Sequence, residues 1–455
     1  MLEVAKLADA AAGSRVVISG SLPPDARDLD LVVRPQDEEA IGARLHQEGF
    51  HDHRGEWVRF RGCRAEAIDL IPTAHWELPP AQLEALFDDA APLEGFERLA
   101  RPAPHHLLLM LARRLVQGNG TLDVKRRVRV ERALADDPAA WAAAGSHASH
   151  WGMRRGLAGL RAAYERGERL SARGRAEATT ERLVSLGMRP RRAQAEGWRR
   201  VLRPAAERGG FLVAFSGLDG AGKSSQAEAL REALERLGYD VRLEWTRLEW
   251  TTLWEGGSGL GRVAWPVTRA VALAERLPRR GRPAEPAQKQ EQEERQADWY
   301  TDVVDSSASR LRRRVGAVND AWVTVVAVAH ARAQRRATAP HIRAGRAVIC
   351  DRYSLDAAAF LRFRYGEDRR FRRQVRLLER LSPRPLRAYH VDVPAEVAHA
   401  RKAEQYSLEE LARQARLYRE ERDELGVRAL DGERPREDLC SQVALDVWRA
   451  LRGIT

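Results

Sequence analysis

The sequence predicts an α/β protein built as two such modules with a helical stretch between them, on three observations. Short apolar runs alternate with helical periodicity from Val16 to about Ala100. Strand signals vanish between about Pro102 and Pro204, where Ala, Leu and Arg recur at helical spacing. Alternating texture then returns from Phe211 to the end. At 455 residues the chain exceeds one ordinary core and suits two or three domains. A hydrophobic fraction of 44% and a charged fraction of 31% exclude a mainly disordered, collagen-like or disulfide-stapled chain. Cys63, Cys350 and Cys440 stand far apart with no C-x-x-C pair. No structural zinc site is therefore expected, and the scarcity of cysteine fits a reducing cytoplasm.

Met1 to Arg15 carries Glu3, Lys6 and Asp9 where an export signal needs an uninterrupted apolar stretch. The runs Leu107–Ala112 and Ala321–Ala329 are far shorter than the ~20 residues that span a bilayer. A soluble cytoplasmic protein with no membrane partner is expected. The net charge of +12 is nearly all arginine, since lysine occurs only at positions 6, 125, 223, 289 and 402. With abundant Ala, that skew is what a GC-rich genome imposes on solvated faces. A basic surface attracts phosphate-bearing partners, but no nucleic-acid module is recognisable in the sequence, so nucleic acid is not the expected partner. A homodimer is left open.

In the first module, strands are expected at Val16–Ile18, Leu29–Val33 and Ala67–Ile71. Residues two apart on a strand face the same way, so Asp28 and Asp30 present both carboxylates to one point while Leu29 and Leu31 face the core. Two like charges so close repel, and a divalent metal bound to triphosphate relieves this. Asp69, flanked by apolar residues on a second strand, is a third carboxylate that could act as base or hold a second metal. The Gly20-Ser21 turn would let backbone N–H groups approach phosphate oxygens. His46, on an Arg-rich helical pattern, and His51 and His53, in a turn after Gly49-Phe50, read as surface residues.

A Gly-Ser turn, Asp-x-Asp on a strand and a third Asp on a neighbouring strand resemble the nucleotidyltransferase superfamily over about residues 10–100. The resemblance implies a competent metal site. One departure is that only six residues, two of them prolines, separate Ser21 from Asp28.

The middle stretch opens at Pro104-His105-His106, and Gly209-Gly210 follows it. Phe211–Phe215 is then a buried-strand candidate, and Ser224–Leu237 a helix. Between them Gly217-Leu-Asp219-Gly220-Ala-Gly222-Lys223-Ser224 matches G-x-x-x-x-G-K-[ST] in its required context, strand before and helix after. Successive N–H groups of such a loop wrap the phosphates of ATP. Lys223 would bridge the β- and γ-phosphates, and Ser224, followed by Ser225, would ligate Mg²⁺. An insertion at about 255–343 contains a loop at Leu277–Pro286 and helices over 287–337. A strand at Arg346–Cys350 ends in Asp351-Arg352-Tyr353, placing Asp351 to hold the metal and Arg352 to reach an anion on the acceptor. A further strand ends at Asp392, and the helix after it carries Arg401 and Lys402, placed to neutralise the transferring phosphoryl group. Trp245, Trp250 and Trp254 read either as core or interface, the weightier choice, or as a stacking platform.

Residues 211–455 resemble the thymidylate kinase family in three motifs in order: the glycine loop, Val-Ile-Cys-Asp-Arg-Tyr, and Val-Asp-Val-Pro followed by Arg-Lys. The resemblance implies that Asp219 contacts a sugar hydroxyl of the acceptor, that Arg352 contacts its phosphate, and that Arg401 serves as the lid arginine. The departures lie on the acceptor side. Thr-Arg-Glu-Pro is absent, and Ala359-Phe360-Leu361 replaces the Ala-Tyr-Gln whose Gln helps read thymine. Together the resemblances imply a nucleotidyltransferase-like α/β domain over 1–100, a helical region over 101–208, and a P-loop NTPase domain with a parallel sheet over 209–455. The expected activity is ATP- and Mg²⁺-dependent phosphoryl transfer to a small-molecule acceptor other than, or not only, dTMP. The alternatives are nucleotidyl transfer to a small molecule or protein, and non-catalytic nucleotide sensing.

Overall fold

The computed structural model describes residues 1–24, 26–185, 209–245, 316–366, 371–402 and 406–454. Most of the insertion, with Trp250 and Trp254, lies outside them. The chain divides into two compact units, Met1–Arg208 with Ala233–Tyr239, and the remainder from Gly209. No described helix is long and apolar enough to cross a membrane.

The first unit holds a mixed sheet of β1 (Val16–Ile18), β2 (Asp28–Val33), β3 (His51–His53), β4 (Glu56–Arg61), β5 (Arg64–Pro72), β6 (Ala91–Pro92) and β7 (Leu99–Arg101). Their order is β3-β4-β5-β2-β1-β7-β6. Strand alternation sorts the side chains into two cores. Val16, Ile18, Leu29, Leu31, Ile68 and Leu70 pack with residues of α1 (Leu2–Ala11) and α2 (Pro35–Gln47). Val17 and Val32 point the other way. They join Leu86, Leu108, Leu109, Leu115, Val130, Ala144 and Leu160 from α3 (Pro80–Asp88), α4 (Pro104–Gln117), α5 (Val124–Asp136), α6 (Ala140–His147) and α7 (Arg154–Arg166). The helical stretch therefore shares a core with the sheet. Asp28, Asp30 and Asp69 have the parity of this helical side.

One expectation is corrected here. His51 and His53 lie on β3 rather than in a turn, paired antiparallel with β4. Arg54 and Gly55, at φ 57 and 87, make the two-residue connection whose twist suits a tight hairpin.

In the second unit β8 (Phe211–Ser216), β9 (Val241–Trp245), β10 (Ala347–Asp351), β11 (Arg387–Asp392) and β12 (Arg428–Asp431) are all parallel, in the order β12-β11-β8-β10-β9. The central strand, β8, is buried along its whole length, as a continuous apolar run in a parallel sheet should be. The helix Gly316–Arg343 runs past residue 337, where the sequence ends it, and carries Pro340 near its end. The helix Leu408–Leu425 starts with a Ser407/Glu410 capping box and stops at Gly426, φ 63. It packs on the helix Ser354–Tyr365, where buried Arg362 bonds Glu421 and Glu420 at 2.8 Å each. Removing one partner of such a pair costs about 3–5 kcal/mol.

Candidate functional site

Strand order in the second unit reverses at β8, which lies between β10 and β11. Open α/β sheets take ligands in the crevice beyond the carboxyl ends of the strands at such a point. The loop that leaves β8 there carries Gly217, Gly220 and Gly222 at φ 143, 84 and 96. A Cβ on Gly217 would lie 2.5 Å from the Val391 carbonyl oxygen, and one on Gly220 2.7 Å from that of Ala398. Gly222 has open space around it, so its φ alone requires glycine. The helix Lys223–Arg236 begins directly at the end of the loop, and a helix N-terminus, whose first N–H groups lack intrahelical partners, suits an anion.

Lys223 is 5% exposed and donates from Nζ to the Leu218 carbonyl at 2.7 Å, with Asp219 Oδ1 3.9 Å away. Burial, aided by Arg352, pushes its pKa down to about 8. Ser224 Oγ donates to Asp351 Oδ2 at 2.5 Å, and Ser225 is exposed beside it. Asp351 Oδ1 is buried with no hydrogen-bond partner among the described residues. A hydroxyl and a carboxylate with an orphaned oxygen, at the foot of a glycine loop, fit Mg²⁺, a hard cation that takes oxygen ligands.

Arg352 follows β10 at φ 79, and its N–H bonds the Phe215 carbonyl at 2.8 Å. Its guanidinium donates to Asp219 and lies 3.7 Å from Asp356. The two residues expected on the acceptor thus meet each other. Burial opposes the charge of Arg352, but Asp356, Tyr418, Asp219 and Asp351 outweigh it and raise the pKa. The sequence reading gave Asp356 no role. It accepts from Tyr353 N–H at 2.9 Å, from Tyr418 Oη–H at 2.8 Å and from Gly217 N–H at 3.4 Å, so it ties the loop to two helices. Its signal was its place in the first turn of the helix Ser354–Tyr365, where it closes a capping box. Arg401, ending the helix Ala395–Arg401, donates to the Gly220 carbonyl at 3.5 Å. Leu361 is buried in an apolar cluster with Val323, Val326 and Leu378. Trp245 is 56% exposed at the end of β9, which removes it from the core.

In the first unit β2 and β5 run parallel with Asp30 directly opposite Asp69 and Asp28 opposite Ala67. Burial, then Asp30, raises the pKa of Asp28. That of Asp69 is raised well above the carboxylate range by burial and by Asp30, Glu56 and Asp28. A Cβ on Gly20 would lie 2.5 Å from Asp30 Oδ2, so a larger residue there would have to displace the Asp30 side chain. Ser21 next to it is exposed. Three partners were missed by the sequence reading. Glu56 faces Asp69 across the β4–β5 pair. Arg114 of α4 donates to Asp30 Oδ2 at 3.2 Å. Arg129 of α5 donates to the Ser19 carbonyl at 2.6 Å, its pKa lowered to about 10 by burial and then by Arg114. A cluster of carboxylates, of which Asp28 and Asp69 have pKa values driven upward by burial and by neighbouring acids, fits a divalent cation.

No protein-family model matches the chain, and no curated protein matches it.

Chemically, the second unit offers a glycine loop at a helix N-terminus, an oxygen pair suited to a metal, and the buried Lys223 and part-buried Arg352 beside it. The first offers carboxylates at one point, flanked by Arg114 and Arg129, an arrangement suited to a metal-bound polyphosphate.

Proposed function

We propose that the chain is an ATP-dependent phosphotransferase of thymidylate-kinase type, with a nucleotidyltransferase-like site in its first unit. The observation that carries the reading is the Gly217–Gly222 loop between central β8 and the helix Lys223–Arg236, with Ser224 bonded to Asp351 at its foot. In this reading the loop N–H groups bind the β- and γ-phosphates of ATP, and Lys223 exchanges the Leu218 carbonyl for a phosphate oxygen. Ser224 and Asp351 would hold Mg²⁺, and Asp28, Asp30 and Asp69 would hold the divalent ion of the first unit. When bound, these ions neutralise phosphate charge at the reacting group. Arg352 leaves Asp219 for the anion of the acceptor, freeing Asp219 to meet a hydroxyl. Arg401, already at the loop, stabilises charge on the transferring group.

The acceptor is proposed to be a small phosphorylated or hydroxylated metabolite other than dTMP. Leu361 stands where the family places its base-reading Gln, and it is buried among apolar side chains. A site without that hydrogen bond cannot reject wrong bases strongly.

A second activity, nucleotidyl transfer, is favoured by the register of Asp30 on Asp69. There the acceptor oxygen would attack the α-phosphorus, pyrophosphate would leave, and Asp69 would take the acceptor proton. One experiment separates the readings. The protein is incubated with Mg²⁺, ATP labelled at the α or the γ position, and a cell extract depleted of its own ATP. Product with γ-label that disappears with Lys223→Ala supports the kinase and supplies its acceptor. Product with α-label that survives Lys223→Ala but not Asp30→Asn supports the nucleotidyltransferase. ATP binding with no transfer of either label would replace both by nucleotide sensing.

A further inference from the structure

A group of side chains in the first unit takes no part in either proposed reaction. Asp89 follows α3, His105 and His106 lie in the first turn of α4, and His147 ends α6. One ligand atom each from Asp89, His105 and His106 lies within 4.8 Å of the others. His105 Nε2 is 3.5 Å and His106 Nδ1 4.0 Å from Asp89 Oδ2. The His147 ring lies 5.1 Å from that of His105 and 5.6 Å from that of His106, centroid to centroid.

His106 is fully buried, and neither of its ring nitrogens has a hydrogen-bond partner among the described residues; His105 Nε2 has none either. An unsatisfied buried polar group costs about 1–3 kcal/mol. Two of these nitrogens, His105 Nε2 and His106 Nδ1, converge beside one carboxylate and need an explanation. A bare core histidine, stacked on Trp151 as His106 is, would account for one ring and not for the convergence.

We propose that Asp89, His105 and His106 bind a transition-metal ion of the Zn²⁺ class, with His147 as the nearest further donor, and that the ion joins α3, α4 and α6. The donor set is that of zinc, imidazole nitrogen with one carboxylate, and differs from the oxygen-only groups at Asp28, Asp30 and Asp69. Bonds of about 2.0–2.1 Å in a tetrahedron set ligand atoms about 3.4 Å apart. The Asp89–His105 pair already meets that spacing, and His106 reaches it with a small shift. His147 Nδ1 lies 3.4 Å from Gln82 Oε1, a contact that would orient the ring as outer partners of metal-bound histidines do. Asp89 and His147 also come from two helix C-terminal ends, where the backbone dipole favours a cation. Absence of a C-x-x-C pair argues only against cysteine ligands, and this site needs none.

The test uses the untagged full chain, stripped with a chelator and titrated with Co²⁺, followed by visible absorption, and with Zn²⁺, followed by calorimetry. One equivalent per chain is expected. Asp89→Asn and His105→Gln, at positions exposed enough to spare the fold, should each weaken binding by at least about 10-fold. His46→Gln, on the surface, should leave it unchanged. Zn²⁺ should raise the melting temperature of the parent chain and not of the two variants. No stoichiometric uptake, or uptake that both variants leave unchanged, would overturn the proposal.

Discussion

Arg352, the residue that follows β10, donates from its guanidinium to the carboxylate of Asp219 in the loop that follows β8. The two lie 133 positions apart in sequence and are 17% and 19% exposed. The pair holds two residues proposed for the acceptor, and Arg352 sits there at a φ of 79 that disfavours any side chain. Asp219→Ala removes the carboxylate proposed to meet the acceptor hydroxyl, and should lower kcat/KM for the acceptor by about 100-fold, about 2.7 kcal/mol in the barrier, with ATP affinity little changed. Steady-state kinetics with the γ-labelled acceptor, beside ATP calorimetry, checks this.

The same position separates backbone strain from charge. Arg352→Gly and Arg352→Ala both remove the guanidinium, but only glycine adopts the left-handed backbone freely. The Gly variant should be more stable than the Ala variant by about 1 kcal/mol, read by denaturant unfolding, while both lose phosphoryl transfer. Equal stabilities would mean that the backbone relaxes when the pair is gone.

Lys223 predicts a pH dependence of opposite sign to that of a paired surface lysine. Its folded pKa of about 8 lies below the unfolded value near 10.4. Between these values the unfolded chain binds the extra proton, so stability rises with pH across that window. Below about pH 8 the ammonium is charged in both states, and its burial destabilises the fold in full. Lys223→Met should thus be more stable than the parent at pH 7, and the difference should shrink from pH 8 to pH 10 while ATP binding is lost. Chemical denaturation at several pH values provides the measurement.

The sequence carries those parts of the site that residue type fixes locally. Gly217, Gly220 and Gly222 announce a loop because their positive φ excludes other residues. Leu29 and Leu31 announce the face of β2 because alternation leaves Asp28 and Asp30 together on the other. Groups brought in by long-range packing are not legible in this way. Arg114 and Arg129 reach the Asp30 region only because α4 and α5 dock on that face of the sheet. In an arginine-rich chain they look like solvated charge until then. His105 and His106 likewise read as the start of a helix until Asp89 and His147 arrive from α3 and α6.

Asp69 gives a prediction about metal. Its pKa is raised by burial, then by Asp30, Glu56 and Asp28. For a carboxyl so raised, the folded state binds the extra proton between the unfolded value near 3.9 and its own, so stability falls as pH rises through that window. At neutral pH without metal the crowded carboxylates destabilise the first unit. Mg²⁺ or Mn²⁺ should then raise its melting temperature. Asp69→Asn should raise it by about 2–4 °C in the absence of metal, the shift that about 1 kcal/mol gives in a domain of this size. The variant should also lose most of the response to Mg²⁺. A melt that ignores metal in the parent chain would count against the carboxylates as a metal site.

Gly20 tests whether the position of Asp30, and not only its charge, matters. A Cβ at residue 20 would lie 2.5 Å from Asp30 Oδ2, 3.0 Å from Cγ and 3.1 Å from Cβ. The Ser19 N–H bonds the Asp30 carbonyl at 2.8 Å, which pins the two backbones together and leaves the carboxylate as the part that can yield. Gly20→Ala should therefore turn the Asp30 side chain, break its contact with Arg114, and lower α-label transfer by about 100-fold, about 2.7 kcal/mol in the barrier. Stability should fall by no more than about 1–2 kcal/mol, because the sheet beneath is untouched. Ser21→Ala, at an exposed side chain, should change transfer little unless its hydroxyl meets the triphosphate, in which case KM for the nucleotide rises with kcat preserved. Full α-label transfer by Gly20→Ala would mean that the reaction does not depend on where Asp30 points.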